Sequence, residues 1–335
     1  MILLNYYCYM FFIPMLMISS MLIFISNSWF SMWMIMEINL ISFICMLIFD
    51  KNIKNELMMS YFLVQSFNSY IFILSFIMML TKMKLLFLLM MYMSIISKIG
   101  LPPFYLWYIK IMKNLNWMNL FLLSTIQKLI PLIILNNIIM YKYLIYLYMY
   151  MILISFYSSI KGLNYNNLKI ILTYSSIIQI SWMILLMISS EMMMMNYFMI
   201  YLFINLNLIL NFYKFNINNL NNLMNMKFNK KNHFYLIMLM MFSLSSIPPM
   251  YGFLMKLISI EFMNLYMNFY LILMMIFNSL ISMYFYTKII FISLMNYSMM
   301  NKFNFKLINY YNNYNLKLSF YSMLMFLMLM MYELL

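Results

Sequence analysis

The sequence predicts an all-α polytopic membrane protein of about eleven transmembrane helices. Three observations predict it. Of 335 residues, 67% are apolar and 8% charged, too few polar groups to clothe a soluble chain of this length. Apolar runs of about 20 residues, the length that crosses a bilayer, recur from end to end. The segments between them are short and carry lysine and asparagine. No room is left for a soluble catalytic domain, and a single integral membrane domain is expected over residues 1–335.

Taken in order, the first span, 5–25, carries no charge, and the second, 29–49, holds one acid, Glu37, deep in its apolar run. The third, 57–80, follows a polar segment around Lys51 and Lys54. The fourth, 85–109, contains Lys98 and Pro102-Pro103; the fifth, 117–140, contains Lys128, with Ser124 and Thr125 about one turn before it. The sixth and eighth, 143–160 and 196–213, are free of charge. Between them the seventh, 167–189, sets Thr173, Ser176 and Gln179 three residues apart, a stripe that either holds water along a path or packs its polar groups. The ninth, 234–260, carries Pro248-Pro249 and Lys256. Lys288 lies near the end of the tenth, 265–293, where its stem can snorkel; the eleventh, 317–335, is expected as a lateral C-terminal helix. The longest polar stretches, 214–232 and 296–315, read as loops.

Usage within each class is skewed. All 20 basic residues are lysine, alanine and arginine are absent, valine occurs once, at Val64, and methionine reaches 49. Residues with A/T-rich codons abound, as in an organelle genome whose code also reads ATA as methionine. The first 25 residues are uncharged, unlike a transit peptide or a secretory signal, and synthesis inside the mitochondrion and residence in its inner membrane are expected. Cys8 and Cys45 have no partner spacing and are given no role. With His233 the only histidine, bis-histidine haem, copper and other histidine-rich metal sites are excluded, and no metal is expected.

The net charge of +14 would suggest nucleic acid in a soluble protein; here it is mostly orientation. Lys51, Lys54, Lys110, Lys113, Lys161, Lys169, Lys214, Lys227, Lys230, Lys231, Lys302, Lys306 and Lys317 follow even-numbered spans, against Lys82, Lys84 and Lys142 on the other side. The positive-inside rule therefore predicts the N-terminus on the matrix face. Attraction to anionic inner-membrane lipid, cardiolipin among them, is a by-product, and no nucleic-acid partner is expected.

Lys98, Lys128, Lys256 and Glu37 remain inside apolar runs. A charge at the helix centre costs roughly 2.5–3.5 kcal/mol on insertion scales, so retention asks for a reason. Burial favours a neutral amine and a neighbouring carboxylate favours an ammonium, so moving a proton or a partner charge switches such a group. That is the chemistry of a proton relay; an inert ion pair locking two helices is the alternative for Glu37 and Lys98.

Two breaks lie beside these lysines. Leu101-Pro102-Pro103-Phe104-Tyr105 and Ile247-Pro248-Pro249-Met250-Tyr251 are near-copies 247 − 101 = 146 residues apart, with Gly100 and Gly252 adjoining. Proline removes a backbone donor and obstructs the preceding turn, so both spans should be interrupted. Irregular backbone at membrane depth is tolerated only where it is buried in protein or lines a cavity, and paired interruptions mark transporters built from repeats. An inverted repeat with halves near 80–215 and 230–295 is expected.

Several stretches carry a resemblance in combination: Asn27-Ser28-Trp29-Phe30 leading to Glu37-Ile38-Asn39-Leu40; Lys98-Ile99-Gly100-Leu101-Pro102-Pro103-Phe104; Asn116-Trp117 to Gln127-Lys128-Leu129-Ile130-Pro131; Gly162-Leu163-Asn164 to Tyr174-Ser175-Ser176-Ile177; and Pro248 through Lys256. In their order and spacing the chain resembles the NADH dehydrogenase subunit 2 family of respiratory complex I, in its shortened mitochondrial form, which is related to cation/proton antiporters. The resemblance implies a proton channel in which Glu37 pairs with Lys98, Lys128 is the central relay and Lys256 leads toward the exit. It implies membrane-arm and accessory subunits as partners, and a part in NADH:ubiquinone reductase without a redox site of its own. NADH, FMN, iron–sulfur clusters and ubiquinone would belong to other subunits. Tyr105 stands where a histidine is common in the family, Lys110 in place of an acidic neighbourhood, Gln179 in place of a histidine, and Ser245-Ser246 in place of a glycine pair. A stand-alone exchanger of the same fold and a purely structural membrane subunit are the competing readings.

Overall fold

A computed structural model describes residues 2–50, 53–78, 84–139, 144–220, 222–223, 231–248, 250–265 and 268–300. The eleventh expected span, 317–335, and Pro249 lie outside the described residues. Among those residues every regular element is a helix: α1 (Ile2–Leu22), α2 (Trp29–Ile48), α3 (Asn55–Met78), α4 (Lys84–Ile99), α5 (Leu106–Asn114), α6 (Trp117–Ser124), α7 (Ile126–Ile139), α8 (Leu144–Gly162), α9 (Leu168–Ser189), α10 (Glu191–Phe215), α11 (Lys231–Ser245), α12 (Tyr251–Asn264) and α13 (Phe269–Met300). Polar residues punctuate them. The Ser28 hydroxyl accepts the Ser31 N–H at 3.2 Å to open α2, and Asn167 Oδ1 accepts the Lys169 N–H at 3.0 Å to open α9; both satisfy donors that a helix start leaves free.

Six helical stretches among the described residues are long and apolar enough to cross a membrane: Trp29–Ile48, Asn55–Met78, Trp117–Ile138, Leu168–Met187, Glu191–Phe215 and Phe269–Leu294. Helix α9 is the axis of the bundle. An 18-residue stretch of it is completely buried, and α5, α7, α8, α10 and α12 all pack on it. From Phe269 to Lys288, α13 rises about 28 Å, close to the thickness of a bilayer core. Lys288 is exposed, and the helix runs on past it to Met300. At the start of α11, His233 packs its ring on Phe215, with 5.0 Å between centroids.

At both diproline segments the chain leaves the helix. Helix α4 stops at Ile99 and α5 starts at Leu106; α11 stops at Ser245 and α12 starts at Tyr251. The two stops use the same turn. Gly100 has φ +79°, and the Leu101 N–H reaches the Ile96 carbonyl at 3.2 Å; Ser246 has φ +58°, and the Ile247 N–H reaches the Phe242 carbonyl at 3.4 Å. Gly100 takes the left-handed conformation without penalty, whereas a side chain there costs Ser246 roughly 1–2 kcal/mol.

The span expected at 117–140 also changes course, at Thr125, whose φ of −125° and ψ of −79° fall outside the helix. Nothing in the sequence reading anticipated it. The cause is local: the Ser124 and Thr125 hydroxyls donate to the Phe121 carbonyl at 3.1 and 2.6 Å, and the Thr125 N–H donates to the same oxygen at 3.1 Å. Such back-bonding bends helices, and Pro131, one turn past Gln127, leaves the Gln127 carbonyl without its helical donor.

Candidate functional site

Among the described residues three lysines are buried: Lys98, Lys128 and Lys256 leave 7%, 3% and 5% of their surface exposed. Each is held by a helix interruption. Lys98 occupies the last turn of α4, just before Gly100. Its carbonyl accepts the Gln65 side chain from α3 at 3.1 Å, and the Ser97 carbonyl accepts Trp107 Nε1 from α5 at 3.1 Å, so side chains replace donors that the broken helix cannot supply. The amine donates to Met36 Sδ at 3.5 Å. Glu37, next along α2, is half-buried; its Oε1 is buried without a hydrogen-bond partner, and its charge acts on Lys98. Among the described residues no hydrogen bond joins Glu37 to Lys98.

Lys128 lies in the first turn of α7, placed there by the turn at Thr125. Its Nζ donates to Ser176 Oγ of α9 at 3.1 Å and sits 4.0 Å from the ring centroid of Tyr108, from α5. The Tyr108 hydroxyl is 2.8 Å from the same Ser176 oxygen. Ser124 and Thr125, the expected polar stripe for Lys128, turn their hydroxyls to the Phe121 carbonyl instead.

Between Lys98 and Lys128 is a cavity of about 20 Å³, lined also by Tyr61, Gln65, Tyr108 and Gln127. About 10–15 Å³ suffices for one water, given two or more polar partners. Lys98 and Lys128 therefore line one water-sized, polar space. Gln127 is anchored on its other side, donating to Asn39 Oδ1 at 3.0 Å.

Lys256, on α12, donates to Ser246 Oγ at 2.7 Å, in the left-handed turn that ends α11, and lies 6.0 Å from the Trp182 ring centroid. Ser176 and Trp182 are six residues apart on α9, so the Lys128 and Lys256 stations attach to that helix about 9 Å apart along its axis. Of the remaining stripe, the Thr173 hydroxyl bonds back to the Ile170 carbonyl at 2.6 Å, and Gln179 accepts the Tyr197 hydroxyl. The structure thus brings Lys98 and Lys128 to one cavity, Ser176 to the Lys128 amine and Lys256 to Ser246, while Thr173 and Gln179 bond elsewhere.

Tyr108, Gln65, Gln127 and Asp50 are additions to the residues read from sequence. Tyr108 had no distinguishing signal among 31 tyrosines. The glutamines had one: Gln65, Gln127 and Gln179 are the only three in the chain, each inside an apolar run. Asp50 follows α2 and accepts from Asn116 and Asn119 at the start of α6, with the Tyr9 hydroxyl of α1 as a third partner. Burial raises its pKa above the ordinary carboxylate value, against the lowering effect of the three donors. A raised folded-state pKa favours the folded chain below the ordinary carboxylate range, and the advantage is lost as pH rises through the raised value. Asp50→Asn is expected to flatten that pH dependence. Asp50→Ala, which strands the asparagine amides, should cost about 1–3 kcal/mol. Thermal unfolding in detergent across pH 4–8 checks both; identical curves for parent and Asp50→Ala would refute the anchoring role.

Among the described residues no group of three or more histidine, cysteine, aspartate or glutamate side chains is placed to hold a metal ion. Residues 26–282 match the family described as NADH:quinone oxidoreductase/Mrp antiporter, transmembrane. The chain is 30% identical over 324 residues to NADH-ubiquinone oxidoreductase chain 2 of Anopheles gambiae, covering 93% of this chain and 92% of that one. It is 35% identical over 267 residues to the chain 2 of Rhipicephalus sanguineus, covering 79% and 83%. Its fold is similar to that of a chain in respiratory complex I from Thermus thermophilus with bound aureothin, with TM-score 0.75 and 16% identity over 82% of this chain and 68% of that one.

Proposed function

The chain belongs to the NADH:quinone oxidoreductase/Mrp antiporter membrane family, and from that membership we propose that it is a proton-translocating subunit of the membrane arm of mitochondrial respiratory complex I. It is a multi-pass protein of the inner membrane, with its N-terminus on the matrix side. The lysine asymmetry between alternate loops supports that orientation. The diproline segments are discontinuous membrane helices in two repeat halves, and the matching turns at Gly100 and Ser246, 246 − 100 = 146 residues apart, support that reading. Its partners are the other membrane-arm and accessory subunits and inner-membrane lipids, cardiolipin included. Other subunits handle NADH, FMN, iron–sulfur clusters and ubiquinone; this chain moves protons.

The observation that carries the proposal is the shared cavity of Lys98 and Lys128. A water there takes a proton from the Lys98 ammonium and passes one of its own to the Lys128 amine, so each site changes by one charge and the water is regenerated. Glu37 sets the direction: while ionised and near it favours the Lys98 ammonium, and its neutralisation releases the proton inward. Quinone reduction elsewhere in the complex supplies that change, and protons leave Lys128 toward Lys256.

Replacing Glu37 by Gln and Lys98 by Met together tests this against a structural role. The double variant keeps the electrostatic balance of the pair. NADH-driven proton uptake by vesicles carrying the assembled complex is expected to fall about tenfold or more. Full pumping would mean that the pair only fixes helix register.

A further inference from the structure

We propose that Tyr108 is the positioning residue for proton transfer between Lys98 and Lys128, an inference that rests on the relay reading and names how its central step is oriented. Tyr108 is fully buried, where the turn after α4 meets α7 and α9. The turn between α4 and α5 brings its backbone so close to Gly100 that a Cβ there would lie 2.8 Å from Tyr108 Cβ. Trp107, its neighbour, is pinned to the Ser97 carbonyl at 3.1 Å. From that fixed origin on α5 the ring lies beneath Lys128 of α7, and the hydroxyl reaches Ser176 of α9.

The hydrogen-bond inventory then assigns each proton. Ser176 gives its single O–H to the Thr173 carbonyl at 2.7 Å. Its oxygen accepts from Lys128 at 3.1 Å and lies within hydrogen-bond distance of two phenols, Tyr108 at 2.8 Å and Tyr201 of α10. Of the three N–H bonds of the Lys128 ammonium, one goes to Ser176, a second faces the tyrosine ring, an attraction that strengthens where water is excluded, and the third is left for the cavity shared with Lys98. Tyr108 thus leaves Lys128 one direction of exchange, toward the cavity that Lys98 also lines.

The test compares Tyr108→Leu and Tyr108→Phe with Lys128→Met in vesicles carrying the assembled complex, reading the rate of NADH-driven proton uptake and its pH profile. Tyr108→Leu, which removes ring and hydroxyl, is expected to slow uptake about tenfold and displace the pH optimum. Tyr108→Phe, which keeps the ring, should restore at least about one-third of the parental rate with the parental profile. Uptake by Tyr108→Leu within about twofold of the parent, with Lys128→Met inactive, overturns the positioning role and leaves the relay intact. Full uptake by Lys128→Met overturns the relay itself. If Tyr108→Leu fails to assemble, Tyr108→Phe decides: below one-third of the parental rate, the ring is not what orients Lys128.

Discussion

Lys128→Met is expected to abolish proton uptake while leaving the chain folded and assembled. The two halves of that expectation come from the same environment. Lys128 is buried, and no carboxylate among the described residues acts on it; its neighbours are a serine hydroxyl and an aromatic ring. A cation held this way costs several kcal/mol of lost hydration, and replacing a buried charge by an apolar side chain of similar length is often neutral or stabilising by about 1–4 kcal/mol. The variant gives up one hydrogen bond to Ser176, worth about 1 kcal/mol. Stability should therefore hold or rise. Transport should fall roughly a hundredfold or more, because a proton leaving the cavity would cross low-dielectric protein with no site to receive it. Thermal unfolding of the solubilised complex checks the first half, and the proton-to-electron ratio in vesicles the second. A structural lysine would give the opposite pattern, with transport preserved and stability lost.

Gly252→Ala is expected to destroy the second break. A Cβ at Gly252 would stand 1.8 Å from the Ser243 carbonyl oxygen and 2.9 Å from its carbon. Both are backbone atoms of α11, so no rotamer change relieves the clash, and α12 must move away by more than 1 Å. Overpacking of this kind costs about 1–3 kcal/mol, and a backbone collision lies at the upper end or beyond it. Lys256, one turn further along α12, moves too, and its 2.7 Å contact with Ser246 is lost. The measurement is the amount of chain recovered in the assembled complex, with proton uptake by whatever assembles. Parental levels of both would show that the close approach of α11 and α12 is dispensable.

How much of this was legible in the sequence depended on whether a feature broke the compositional pattern. Lysine deep in an apolar run did, and Lys98 and Lys128 are buried; Lys256, which by sequence lies near the end of its span, is buried as well. Two proline pairs did; α4 ends at Ile99, before Pro102, and α11 at Ser245, before Pro248. Glu37 was legible as a buried acid, but its half-buried position and its lack of a direct bond to Lys98 depend on how α2 packs. The bend at Thr125 was hidden because serine and threonine in a membrane helix bond the backbone silently in most places and bend it in few; three donors converging on the Phe121 carbonyl cannot be counted from sequence. Tyr108 was hidden for the opposite reason, being one of many tyrosines distinguished only by the fold. Asp50 lies just beyond the end of α2, where an acid is ordinary, and only the arrival of α1 and α6 makes it an anchor. Glutamine scarcity is a readable signal, since Gln65 and Gln127 both line the cavity.

The central claim, that the buried amines are joined by water, is tested most directly by a high-resolution map of the membrane arm with this chain in place. It should show an ordered water within about 3.2 Å of both the Lys98 and Lys128 amines, in the space bounded by Gln65, Tyr108 and Gln127. A dry cavity, with the ammonium groups turned away from one another toward the membrane surfaces, would contradict it.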